Sequence, residues 1–167
     1  MFDRIKNFMA ELAGKPTTRA FSDYRLAAAS LLVHLANADG TIDEPERKRL
    51  REIIEKNFGL DSQTTARLIQ SAEMSEREAV DFYHFTHTLS RALDQEGRQK
   101  IIEMMWEIAF AHGAISEVEE NIVARIAELL GVSPHDRVRL RHRVAAEPAE
   151  GTAPVAPWPG SAVAAKE

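Results

Sequence analysis

The residues best suited to chemistry in this chain are acidic side chains gathered around two glycines. The first group reads Asp39-Gly40-Thr41-Ile42-Asp43-Glu44-Pro45-Glu46. Asp39, Asp43 and Glu46 are hard oxygen donors close enough in sequence to share a divalent cation. The second group, His112-Gly113-Ala114-Ile115-Ser116-Glu117-Val118-Glu119, offers His112 and Glu119. Part of each group also has a metal-free use. Asp43 with Glu46, and Ser116 with Glu119, each carry the capping-box spacing that satisfies the orphan N–H groups of a helix start. Asp39 has no such use. It is expected in the last turn of a helix, where a negative charge costs about 0.3–1 kcal/mol and calls for a cation or a neighbouring Lys or Arg. A true EF-hand loop is excluded, because with Glu46 at loop position twelve, Leu35 would be position one and cannot ligate. The second copy fails more plainly, with Ile108, Phe110 and His112 at positions one, three and five.

The elements that must position these groups are repeated. At an offset of 73 residues, Gly40 to Gly113, the pairs Ala36/Ala109, Ala38/Ala111, Ile42/Ile115, Glu44/Glu117, Glu46/Glu119, Ile53/Ile126 and Glu55/Glu128 coincide. Each copy runs from an apolar helix through a Gly stop into an acidic helix start, predicting two helical hairpins with an acidic corner apiece. The first central helix, Phe21 to Ala38, is apolar all round and is expected in the core, as is its counterpart Gln95 to Ala111. Corner partners follow, bearing Leu50, Ile53, Ile54 and Phe58 before Gly59, and Ile122, Ile126, Leu129 and Leu130 before Gly131. Another helix is expected after Asp61, and a further one from the capping box Ser75-Glu76-Arg77-Glu78. A last one follows Ser133-Pro134, where proline suits an early helical turn. No segment alternates with period two, so no strand is expected. Outside the repeat, residues 1–15 form a separate unit. Phe2, Ile5, Phe8, Met9 and Leu12 predict a short amphipathic helix over Met1 to Ala13 that packs on the domain, on a partner or on a membrane surface. The domain proper is expected over 21–145. Residues 146–167, rich in Ala and Pro with little to bury, are expected to be a disordered tail, with Trp158 its one large apolar side chain.

The remaining histidines are weaker candidates. Asp81, His84 and His87 share a three-residue spacing that could bring them to one helix face, but Phe82, Tyr83 and Phe85 interleave them. His34 is expected as a hydrogen-bonded histidine of the core. No Gly-rich phosphate loop, nucleophile elbow or His-Glu-x-x-His is present, so no enzyme is predicted. The chain of 167 residues has no cysteine, which removes thiolate chemistry and suits a cytoplasmic setting. A net charge of −5, without a basic and aromatic stretch, argues against nucleic acid. No apolar run reaches the roughly 18 residues of a transmembrane helix.

A helical core with two copies of an Ala-Asp-Gly-x-Ile-x-x-x-Glu-like motif resembles the TerB-like family. That family includes the tellurite-resistance protein and the N-terminal domain of a membrane-associated DnaJ-type co-chaperone. The resemblance covers Phe21 to Val144 and is nearest to small stand-alone bacterial members. It implies an all-α fold of about seven helices in pseudo-two-fold halves, and a metal site at Asp39, Asp43 and Glu46 with His112 and Glu119 in the second copy. The chain departs from the motif at His112, which stands where Asp is expected, and at Ser116, which stands where the first copy has Asp43. No J-domain is present, so co-chaperone activity does not transfer. The resulting expectation is a non-enzymatic module that binds a divalent metal ion or serves a stress response; the alternative is a metal-independent adaptor.

Overall fold

The computed structural model describes residues 23–111 and 113–147. The expected amphipathic helix over 1–13, the expected 146–167 tail from 148 onward with Trp158, and His112 lie outside the described residues, while Ala146, expected to open the tail, is the last residue of the final helix and Glu147 its cap. Among those described, seven helices follow one another without a strand: α1 (Asp23–Ala36), α2 (Glu44–Phe58), α3 (Ser62–Glu78), α4 (Tyr83–Ala92), α5 (Gln95–Phe110), α6 (Glu117–Leu130) and α7 (Pro134–Ala146).

Helices α1 and α5 are the two central rods. On α1, Ala28, Ala29, Leu31, Leu32, Val33 and Leu35 are all sealed from solvent, which a helix with one apolar stripe could not achieve. On α5, Ile101, Ile102, Met104, Met105, Trp106 and Ile108 are buried likewise. The helices around them are amphipathic and lay single stripes inward, such as Leu50, Ile53, Ile54 and Phe58 of α2. Trp106 fills the space beneath α7 and donates its indole N–H to the Arg137 carbonyl at 3.0 Å, with the Arg141 guanidinium 5.5 Å from the ring centre.

The packing repeats as the sequence does. Helix α1 packs on α2 and α3 as α5 packs on α6 and α7. The cross contacts are reciprocal, α1 with α6 and α5 with α2, while α1 and α5 meet each other. Helix α4 stands outside the repeat and packs on α1 and α6, so it ties the halves together. The stops at Gly59 and Gly131 both adopt left-handed backbone, at φ of 65° and 73°, as helix C-caps require.

Two expectations are corrected. The box at Ser75 to Glu78 opens no helix, because these residues are the last turn of α3. No Gly or Pro interrupts the chain after Ile69, and the stripe Leu68, Ile69 and Ala72 carries the helix on. It stops only at Ala79, where the backbone turns extended. Helix α4 then starts at Tyr83, with Phe82 as an N-cap that supplies no side-chain hydrogen bond. The second correction concerns Asp39. Helix α1 ends at Ala36, and the chain tightens into i to i+3 turns, Ala38 N–H to the Leu35 carbonyl and Gly40 N–H to the Asn37 carbonyl. Asp39 therefore lies beyond the last helical turn, where the dipole penalty has largely decayed.

Candidate functional site

Each corner is built from a tight turn, a glycine and a capping box. The turns match bond for bond: Ala111 N–H to the Ile108 carbonyl and Gly113 N–H to the Phe110 carbonyl repeat the two bonds of the first corner. Gly40 at φ of 129° and Gly113 at 101° take backbone that L side chains rarely adopt, so the bend at both corners depends on glycine. The helix starts are closed reciprocally. Glu46 N–H donates to Asp43 Oδ1 at 2.8 Å, and Asp43 N–H to Glu46 Oε2 at 2.9 Å. In the second copy Glu119 N–H donates to Ser116 Oγ at 3.1 Å, and Ser116 N–H to Glu119 Oε2 at 2.8 Å.

The corners differ in exposure and in charge. Asp39 and Asp43 are exposed and Glu46 is half-buried, whereas Glu119 is only 1% exposed. Among the described residues Asp39 forms no ion pair and no hydrogen bond through its carboxylate, so the Lys or Arg neighbour that would offset its charge is missing. Among the described residues, no three His, Asp or Glu side chains converge closely enough to hold a metal ion. The cap is the physical reason at the first corner: one oxygen each of Asp43 and Glu46 is turned to the helix start.

His34 is hydrogen-bonded as expected, but half-buried at the surface of the core and not within it. Its Nδ1 lies 3.1 Å from Glu76 Oε1 on α3, and its ring is 4.1 Å from that of Phe82. The contact is half-buried and links α1 to the end of α3. Asp81, His84 and His87 do not share one helix, because Asp81 precedes α4 and accepts the Tyr83 N–H at 3.0 Å. His84 and His87 are exposed, with His87 stacked on Tyr83.

The residue that sequence reasoning missed is Glu107 on α5. Burial pushes its carboxyl above the ordinary 4.5; Lys56 and Lys100 oppose the rise, while Glu103 and Glu147 add to it. Glu103 is itself buried and lies 3.8 Å from Lys100 Nζ. A signal for Glu107 was present, since the offset of 73 sets it on His34. Where half-buried His34 pairs with Glu76, Glu107 sits under the influence of both lysines and glutamates.

The fold and its corners define a class: a duplicated all-α module whose two central helices each lead through a glycine bend into a boxed helix start. Residues 25–142 match the family model described as tellurite resistance protein TerB. The match spans more than half of the chain, and the chain belongs to the TerB family. Comparisons with curated proteins and with solved structures find no match.

Proposed function

We propose that this TerB-family chain is a non-enzymatic helical module of a stress response, and that its first corner takes a hydrated divalent cation weakly at Asp39 and Asp43, with Glu46 beside them. The observation that carries the reading is the contrast between the corners. Asp39 and Asp43 stand exposed on either side of the Gly40 bend, and among the described residues Asp39 forms no ion pair, while the second corner replaces Asp43 by Ser116 and buries Glu119. The fit is to a loosely held ion. With one oxygen each of Asp43 and Glu46 committed to the cap, the corner offers no closed cage. It suits an ion that keeps several waters and touches one or two carboxylates, as Mg²⁺ does. His112 and Glu119 are the second corner's candidates, with Glu119 Oε2 already accepting the Ser116 N–H. The tellurite resistance in the family's description fits a stress context better than direct oxyanion chemistry, since the chain has no thiolate to offer an oxyanion.

Melting the chelated protein against a panel of divalent ions tests the reading. An ion at 100 times its Kd should add about 2.7 kcal/mol to stability. Asp39→Asn should remove that response and leave the ion-free protein within about 0.5 kcal/mol of the wild type. A wild type that ignores every ion would leave the metal-independent adaptor, a reading favoured by the exposed apolar side chains of Met74, Val80 and Tyr83 along α3 and α4.

A further inference from the structure

Between α1, the end of α3 and α4 lies a groove of about 560 Å³. Its floor is apolar, with Leu26, Ala27 and Phe85, and Glu78 and Asp81 stand on its acidic rim. Val80 lines it too and is fully exposed, an apolar side chain on a four-residue link that nothing among the described residues covers. An apolar floor with a polar rim is the shape that receives an amphipathic helix by its stripe.

We propose that this groove is the docking site of the chain's own N-terminal segment, Met1 to Ala13. The inference goes beyond the cation reading and does not depend on it. Three features of the chain select this occupant. The segment carries a stripe of Phe2, Ile5, Phe8, Met9 and Leu12 that would otherwise face water. It joins the domain at Asp23, one helical turn before Leu26 and Ala27 of the groove floor. The nine residues 14–22 span roughly 30 Å when extended, enough to bring the stripe back over α3 and α4. The tether decides between this occupant and a second copy: a short flexible linker supplies an effective concentration on the order of millimolar, far above that of another chain in dilute solution.

The absence of native cysteine allows a single spin label to be placed on the full chain at Val80→Cys, or at Val138→Cys on α7, which packs on α5 and α6. In chelator, the label at position 80 should erase most of the amide signal of residues 2–12, the label at 138 should leave it, and Phe8→Asp should restore it. Equal attenuation from both labels, or none from position 80, would overturn the proposal. So would attenuation seen only between chains in a mixture of isotope-labelled and spin-labelled protein, which would give the groove to a second copy.

Discussion

Replacing Ser116 by Ala should cost more than replacing Asp43 by Ala, although each removes the side-chain acceptor of a capping box. Loss of such a cap costs about 1 kcal/mol in a typical case. At the first corner the abandoned donor is the Glu46 N–H, on a half-buried residue beside an exposed Asp43, so water can take the place of Oδ1. The cost there should stay near 1 kcal/mol. At the second corner the abandoned donor is the N–H of Glu119, a residue only 1% exposed. That bond is part-buried where the first corner's is exposed, so water replaces the hydroxyl less readily, and a donor left unsatisfied costs about 1–3 kcal/mol. The total should be about 2 kcal/mol. In thermal terms the two variants should melt roughly 3 °C and 6 °C below the wild type. Asp43 carries a charge that Ser116 lacks, so the comparison belongs in about 1 M salt, where screening over about 3 Å suppresses the charge–dipole part. Urea titration with unchanged m-values gives both numbers, and Asp43→Ser, which copies the second corner, should stay within about 0.5 kcal/mol of the wild type. Equal costs for the two alanine variants, or a larger one for Asp43→Ala, would refute the claim that the corners differ through desolvation.

Trp106→Phe should cost about 1–3 kcal/mol, from the void left and the lost indole bond to the Arg137 carbonyl, and hydrogen exchange should show α7 loosened before α1. Unchanged protection in α7 would mean that the indole does not anchor it. Glu107→Gln should stabilise the protein at neutral pH and do nothing below about pH 4.5. The sign follows from a folded carboxyl that titrates above its ordinary 4.5. The folded state then binds the proton more tightly than the unfolded one, so wild-type stability falls as pH rises from 4.5 through the raised value, and the glutamine variant lacks that fall. Parallel stability–pH curves for the two proteins would show that Glu107 is not desolvated.

The corners were legible because their signals are local. A glycine, an N-cap and a glutamate three residues on can be read without a fold, and the two boxes stand where the residues put them. The same signature misled at Ser75 to Glu78, since a serine followed three residues later by glutamate fits a helix interior as well as a helix start. The stripe of Leu68, Ile69 and Ala72 continuing beneath it decided the outcome. The end of α1 was placed two residues late for a related reason: alanines at 36 and 38 extend a helix pattern that the turn at Asn37 had already closed. What could not be read was tertiary. His34 meets Glu76 across 42 residues. Glu103 and Glu107, four apart among apolar neighbours, look like an outward polar edge until the packing around α5 buries the first and half-buries the second.

The reciprocal contacts of α1 with α6 and α5 with α2 have the form of an isologous dimer interface folded into one polypeptide. In a dimer of identical hairpins every substitution would appear twice, and a carboxylate at one corner would oblige a carboxylate at the other. Covalent joining through α4 lifts that constraint. The two halves can keep a common architecture, bend for bend, while one corner spends its side chains on solvent and the other on packing. Serine at 116, the burial of Glu119 and the exchange of a histidine position for Glu107 are changes that only a heterogeneous pair can hold, and the single chain guarantees that the unlike halves always meet at one-to-one stoichiometry.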